Sequence, residues 1–426
     1  MKLRIEKAIY GGAGLARATE GPLAGKTIFV PLALPGELVE AQIVDDRRSF
    51  ANARLETVIE ASPARIKAAC PYFGACGGCD YQQASYEQQL AMKRDILRES
   101  LERAHLSLLP EMQTLSGPAW GYRNRIRLHV QRKPFSLGYK KRASNESLAV
   151  GECPIAAPSL VNALQVLNQE GARLGLGEWC DEVELFTSHD ESELRLSFWE
   201  RSGARISAGA FRTMGDALRQ HIAPLSGATL FEAAGAKQHS SPLEWGEQAL
   251  RYRVDRQEYR VSRGSFFQGN RFLVDPLLQT VARGRRGVVA WDLYAGVGLF
   301  ARALAESFDK VIAVEAAPSS SHDLVHNLQE TSARAVKSST LDFLRRQQSA
   351  PDLVVVDPPR TGLGTEVTEL LGRLAAAQIV YVSCDPATLS RDLHSLLQSG
   401  YQLQSLTMVD LFPQTYHMET VAVLTR

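Results

Sequence analysis

The residue types best suited to chemistry lie late in the chain. Tyr381-Val382-Ser383-Cys384-Asp385-Pro386 is preceded by Val354-Val355-Val356-Asp357-Pro358-Pro359-Arg360 and followed by His417-Met418-Glu419. A thiol of intrinsic pKa about 8.5 becomes a nucleophile where its surroundings favour the thiolate, and a strand exit facing a cleft is such a place. Taken alone, a cysteine after an apolar run is more often a small core residue. Its company points to chemistry: Asp357 as a pocket acid and Glu419 as a candidate base. Two prolines remove backbone donors and stiffen the chain, so Asp357 is held at the carboxyl end of a strand, where open α/β sheets bind ligands.

The elements that must position these groups read as a doubly wound α/β sheet. Val288 to Trp291 is a short apolar strand that runs through Asp292-Leu293-Tyr294-Ala295-Gly296-Val297-Gly298 into a helix-like segment, and Lys310-Val311-Ile312-Ala313-Val314-Glu315 is a second buried strand ending in an acid. Glycines permit close backbone approach, and an acid about twenty residues on accepts ribose hydroxyls. The third glycine of a dinucleotide fingerprint is missing, which favours S-adenosylmethionine, with no pyrophosphate to cradle, over NAD. Beyond Glu315 the pattern predicts a helix over Ser319 to Thr331, a turn near Lys337, an adenine-contacting acid at Asp342 and a strand over Leu353 to Val356. The apolar flanks Val409 to Phe412 and Thr420 to Leu424 predict paired late strands that aim Glu419 into the site.

A second cysteine system lies near the other end. Cys70, Cys76 and Cys79 share one loop, and Cys153, followed by proline, is distant. Three close thiols plus a fourth supplied by the fold make a four-thiolate site, and spacing alone leaves zinc and an iron-sulfur cluster equally open. Cys180, beside Trp179, reads as core. Six cysteines in a long chain indicate a reducing compartment rather than a disulfide framework; with no signal peptide and no transmembrane-length apolar run, a cytoplasmic, membrane-free protein is expected.

At 426 residues the chain has room for two or three domains, and its net charge of +1 gives no global sign of nucleic-acid binding. The charge is uneven. Tyr122 to Arg142 holds Arg123, Arg125, Arg127, Arg132, Lys133, Lys140, Lys141 and Arg142 without an acid, interleaved with aromatic residues, a ribbon able to contact phosphates and unpaired bases as well as to be a solvated sheet face. Residues 1–60 read as short strands between glycine and proline turns, a small barrel. Residues 119–262 are strand-rich, with candidates at Ile126 to Val130, Val183 to Phe186 and Leu194 to Phe198, and Tyr86 to Arg103 is helical.

Taken in order, Ile9-Tyr10-Gly11-Gly12-Ala13-Gly14, Val30 to Glu37, Cys76-Gly77-Gly78-Cys79, Ser265 to Asn270, the glycine turn, Asp357 to Arg360, Ser383 to Pro386 and His417 to Glu419 make the chain resemble the RNA uracil-C5 methyltransferases, specifically the bacterial large-subunit rRNA type with a TRAM domain and an iron-sulfur cluster. The resemblance spans nearly the whole chain and implies three units: a TRAM, OB-like RNA-binding barrel over 1–60, a central cluster-bearing unit over 61–81 and 119–262, and a Rossmann-like methyltransferase unit over 82–118 and 263–426. It implies Cys384 as the nucleophile at uracil C6 and Glu419 as the base at C5. Gln268, Tyr294, Glu315, Asp357 and, more loosely, Asp342 would bind S-adenosylmethionine. Cys70, Cys76, Cys79 and Cys153 would hold a [4Fe-4S] cluster, and Phe266 would stack near an extruded base, with Arg123, Arg125 and Arg127 on RNA. The expected substrate is 23S-type rRNA, with tRNA as rival, acted on by a monomer. Amino-group methylation of a purine and a non-catalytic RNA-binding role are the other readings; neither uses a Cys384 and Glu419 pair.

Overall fold

The computed structural model describes residues 1–106, 109–232 and 242–426. Strands β1 (Lys2–Ala8), β2 (Ala13–Arg17), β3 (Thr27–Pro31), β4 (Leu38–Asp46) and β5 (Phe50–Glu60) close into a barrel in the order β1-β2-β3-β5-β4. Period-2 alternation builds it: Leu3, Ile5, Ile28, Val30 and Val39 fill the interior while their neighbours face outward. Helix α1 (Tyr86–Arg103) begins where the Ser85 hydroxyl accepts the Gln88 N–H at 3.3 Å, and β6 (Met112–Leu115) follows.

Next come β7 (Arg125–Gln131), β8 (Ser136–Lys140) and β9 (Ser147–Ala149), then α2 (Pro158–Glu170), α3 (Leu176–Trp179), β10 (Cys180–Thr187), β11 (Leu194–Glu200), α4 (Ala208–His221), β12 (Leu225–Phe231) and β13 (Leu243–Gly246). The seven strands pair in the order β13-β12-β11-β10-β7-β8-β9. One face is covered by α2 and α4 around a core that includes Leu128, Val183, Phe198 and Cys180, so Cys180 is the packing residue expected. The three strand candidates of this region all form, at β7, β10 and β11. A two-stranded ribbon, β14 (Ala249–Val254) and β15 (Gln257–Ser262), comes next.

The third sheet carries the candidate chemistry. Its elements are α5 (Val274–Ala282), β16 (Gly287–Leu293), α6 (Leu299–Leu304), β17 (Phe308–Glu315), α7 (Pro318–Asn327), β18 (Ala333–Lys337), α8 (Thr340–Arg345), β19 (Leu353–Val356), α9 (Gly364–Leu374), β20 (Gln378–Ser383), α10 (Pro386–Gln398), β21 (Gln402–Val409) and β22 (Glu419–Thr425). The strand order is β18-β17-β16-β19-β20-β22-β21-β6. All four residues of β19 are buried, because its alternate side chains enter two different cores on the two faces of the sheet. Two local expectations shift. A short edge strand, β18, runs up to Lys337, and α7 ends at Asn327. The first late strand is β21, ending at Val409 where the sequence pattern had it begin; Asp410 is drawn out of the strand by a buried ion pair, and Pro413 cannot extend a ladder. Among the described residues no helix is long and apolar enough to cross a membrane.

Candidate active site

Parallel pairing brings the candidate residues to one edge. β16 lies between β17 and β19, the point at which strand order reverses and a crevice opens at the carboxyl ends. Tyr294, Glu315, Asp357 and Cys384 stand at or just past the ends of β16, β17, β19 and β20. β22 runs antiparallel to β20, so its first residue, Glu419, starts at that same edge. Ser383 pairs with Thr420, so Cys384 and Glu419 are the next residues at that end of the ladder, and the charge of Glu419 acts on the Cys384 thiol.

On the β16–β17 side, the Glu315 carboxylate accepts the N–H groups of Gly296 at 2.8 Å and Ala317 at 2.6 Å. This ties the acid to the glycine turn. Gly296 and Gly298 have φ of 56° and 93°. A Cβ at Gly296 would meet nothing within 4 Å, leaving open space over the turn, whereas one at Gly298 would come within 2.8 Å of Leu324; the second glycine is there for packing. Tyr294 holds φ of 65° without being glycine, backbone strain of the kind concentrated at binding sites. Asp292, fully buried below, accepts the Ala301 N–H at 2.8 Å through Oδ2, while its Oδ1 has no partner. Burial pushes its carboxyl up to about 8. Asp292 was read only as part of a motif; the Asp-x-Tyr spelling marks the position, but nothing local marks its burial. Asp342 is exposed at the N-terminus of α8, accepts the Ser339 hydroxyl at 2.7 Å and lies 3.8 Å from Arg345.

On the β19–β20–β22 side the carboxylates are desolvated. Asp357 accepts the Gln268 amide at 3.4 Å, and burial pushes it up to about 7. Glu419, 5% exposed, is pushed well above the carboxylate range by burial and by Asp357. Burial, followed by the charges of Glu419 and Asp357, raises the Cys384 thiol to about 12. Arg360 opposes both shifts, favouring the charged forms of Cys384 and Glu419. Its Nη2 lies 3.3 Å from Nδ1 of His417, whose imidazole burial and Arg360 bring down to about 4, so His417 is neutral. In the sequence Arg360 is marked only by its place after two prolines, close to Asp357.

The loop carrying His417 is fixed from a distance. Lys93 and Asp410, both fully buried, pair at 2.5 Å across 317 residues, and Lys93 also donates to the Phe412 carbonyl at 3.1 Å. Gln89 and Gln414 bond twice, at 2.9 and 3.0 Å. A buried ion pair fixes geometry more surely than it adds stability.

A cavity of about 430 Å³ runs past Cys384, Arg360, His417 and Phe412 to Cys70, Cys76, Cys79 and Cys153. The four cysteines therefore share one space. They do not converge: among the described residues no set of three or more His, Cys, Asp or Glu side chains is placed to hold a metal ion, so the preformed metal site expected from the spacing is not found. Burial, and the neighbouring cysteines after it, push Cys70, Cys76 and Cys79 upward, Cys79 to about 12. The basic ribbon also differs from its local reading. Acids outside it pair with four of its cations: Arg127 with Glu182, Arg132 with Glu178, Lys141 with Glu146 and Arg142 with Asp80. Arg125 stacks on Phe186 at 3.9 Å and donates to the Ser265 carbonyl at 2.9 Å, a structural commitment. Arg123 does face the cavity, and Phe266 is 65% exposed.

The family model of tRNA (uracil-5-)-methyltransferases matches residues 339–426, which hold Asp357, Cys384 and Glu419. A 23S rRNA (uracil(1939)-C(5))-methyltransferase, RlmD, of Pseudomonas fluorescens is 33% identical, with 99% of this chain and 93% of the relative covered. The chain belongs to the S-adenosylmethionine-dependent RNA uracil-C5 methyltransferases. An RNA methyltransferase of Aquifex aeolicus with no characterised activity is also 33% identical, over 100% of this chain and 98% of its own. Among solved structures, the Pyrococcus abyssi tRNA (uracil-54, C5)-methyltransferase in complex with S-adenosyl-L-homocysteine has the same fold, with a TM-score of 0.79 at 24% identity over 100% of both chains. The open turn, the backbone-bound Glu315 and the orphaned Asp292 oxygen fit the nucleoside and amino-acid ends of the methyl donor that this methyltransferase uses.

Proposed function

We propose that the enzyme methylates C5 of a uridine in 23S-type rRNA, with Cys384 as nucleophile and Glu419 as base. The observation that carries this reading is the Ser383–Thr420 pairing, which leaves Cys384 and the buried Glu419 as the next residues at the same end of the ladder, with Glu419 acting on the Cys384 thiol and Arg360 the opposing cation. The Cys384 thiolate adds to C6, forming the S–C6 bond and moving the C5=C6 electron pair into an enolate. C5 then takes the methyl group. S-adenosylmethionine supplies that methyl on a sulfonium leaving group. Glu419 removes the C5 proton, C5=C6 re-forms, and the S–C6 bond breaks to return the thiolate. Desolvation makes Glu419 a stronger base than an exposed carboxylate, suited to a weakly acidic C–H. Gln268, Tyr294, Glu315 and Asp357 would bind the methyl donor, with the Gln268 amide also donating to Asp357; Asp342, which bonds Ser339 on its own helix, is the weakest member of that set.

The barrel and the two large sheets support a division into a barrel over 1–60, a central unit over 61–81 and 119–262, and a methyltransferase unit over 82–118 and 263–426, although the β14–β15 ribbon packs into the methyltransferase core. In this reading the barrel is an RNA-binding TRAM unit. Phe266, standing out beside Gln268, would stack near the extruded base; Arg123 and Arg127 would meet RNA from the cavity side, and Arg125 would hold the loop that carries Phe266. Four free cysteines around one cavity are a donor set for a [4Fe-4S] cluster, which keeps its thiolates apart rather than drawing them to one point. It would fasten the 70–79 loop to Cys153. The reaction has no redox step for it.

Incubation with methyl-tritiated S-adenosylmethionine and either unmodified rRNA fragments or tRNA transcripts, followed by nucleoside analysis, tests the substrate. Label as 5-methyluridine in rRNA is expected. Label only in tRNA would replace the substrate, a second reading favoured by the tRNA family model over residues 339–426. Label in a purine would end both.

A further inference from the structure

The N-terminal barrel reaches the candidate reaction centre through one side chain. Tyr10 lies in the turn between β1 and β2, and its hydroxyl donates to the backbone carbonyl of Cys384 at 3.2 Å. That carbonyl needs a partner. Ser383 is the last paired residue of β20, and Asp385 is already the N-cap of α10, accepting from Ala387 and Thr388 at 2.9 and 3.0 Å. The Cys384 peptide thus falls between ladder and helix, where an orphan carbonyl leaves the elbow free to tip. Among the described residues Tyr10 is the side chain that donates to it.

The turn bearing Tyr10 is held at both ends. Gly11 and Gly12 have φ of 101° and 88°, and a Cβ at Gly12 would come within 2.9 Å of the Asp80 side chain. Asp80 in turn accepts the Tyr416 N–H at 3.4 Å and pairs with Arg142 at 2.9 Å. The Tyr10 ring meets Tyr416 edge-on at 5.3 Å, Tyr416 lies 4.1 Å from the His417 ring, and His417 reaches Arg360. One tyrosine therefore touches the nucleophile's backbone directly and abuts the aromatic pair that leads to the cation facing it.

We propose that Tyr10 is a positioning residue for the nucleophile: the docked barrel uses its hydroxyl to fix the Cys384 peptide, so that barrel docking sets the rate at which the covalent adduct forms. The inference rests on Cys384 being the nucleophile. A misplacement of about 1 Å at a reacting atom costs on the order of 10²-fold, and loss of one neutral hydrogen bond gives a smaller fraction of that.

RNA carrying 5-fluorouridine tests it, because fluorine at C5 cannot leave as a proton and the methylated adduct persists as a protein–RNA band. With saturating RNA and S-adenosylmethionine, Tyr10→Phe should slow adduct formation roughly three- to tenfold. KM for either substrate and the thermal midpoint should not move. Tyr10→Leu, which also loses the ring contact, guards against a folding artefact. Equal slowing in Phe and Leu variants assigns the effect to the hydroxyl, while slowing in Leu alone assigns it to packing and overturns the inference. An effect confined to KM for RNA would make Tyr10 an RNA contact and overturn it too. Cys384→Ala runs alongside: a persistent adduct there defeats the nucleophile assignment itself, whereas no adduct there together with a normal Tyr10→Phe defeats only the role of the tyrosine.

Discussion

Glu315 and Glu419 are the same residue type at the same edge of one sheet, and the molecule treats them in opposite ways. Glu315 ends β17 with two backbone N–H groups on its carboxylate. Glu419 opens β22 buried against Asp357 and Cys384, where its carboxyl is driven upward. Fixed backbone donors orient a carboxylate for recognition, while desolvation makes one a stronger base. On the proposed mechanism, environment more than identity divides the edge into a half that binds and a half that reacts.

The division is sharpest in kinetics. Cys384→Ala should abolish 5-methyluridine formation while leaving S-adenosylmethionine binding, read by calorimetry, intact; turnover near the native rate would dissolve the reacting half. Glu419→Gln should lower kcat by roughly 10²–10⁴-fold and let protein–RNA adduct accumulate on a denaturing gel. Equal loss without adduct would move the base elsewhere. Glu315→Gln should raise KM for S-adenosylmethionine about tenfold or more with kcat little changed, since bonds to a charged group are weakened rather than a proton step removed. A pure kcat effect there would erase the distinction.

The smallest effect concerns stability. Asp292 titrates near 8 in the fold against 3.8 for the ordinary carboxyl. Between about pH 4 and 8 the unfolded chain has lost this proton and the native state keeps it, so stability falls as pH rises through that window. Asp292→Asn, which cannot ionise, should flatten the fall by on the order of a few kcal/mol in urea titrations at pH 5 and pH 8. An unchanged slope would mean that Asp292 is ionised in the fold.

What was legible in the residues was whatever chemistry is local. The glycine turn, the proline-fixed Asp357 and the alternating β-strands each announce themselves within a few positions, and the fold keeps them. What depended on distant partners was not. The basic ribbon looked free because its acids lie elsewhere in the sequence, among them Glu182 on β10 and Asp80 in the cysteine loop. Lys93 and Asp410 carry no mutual signal across 317 positions. Asp342 has its partner close by: its N–H donates to the hydroxyl of Ser339, three residues away, at 3.1 Å, a helix cap readable in the sequence.

β22 is the latest strand in chain order, yet it lies inside the sheet, between β20 and β21. During synthesis the nucleophile elbow at Cys384 emerges ahead of it, and until β22 inserts, β20 presents a bare row of N–H and C=O groups. The strand that seals this edge is also the one that delivers Glu419. On the proposed mechanism, completing the sheet and supplying the base are therefore a single event, and a nascent chain that stalls before β22 leaves an open strand edge and lacks Glu419.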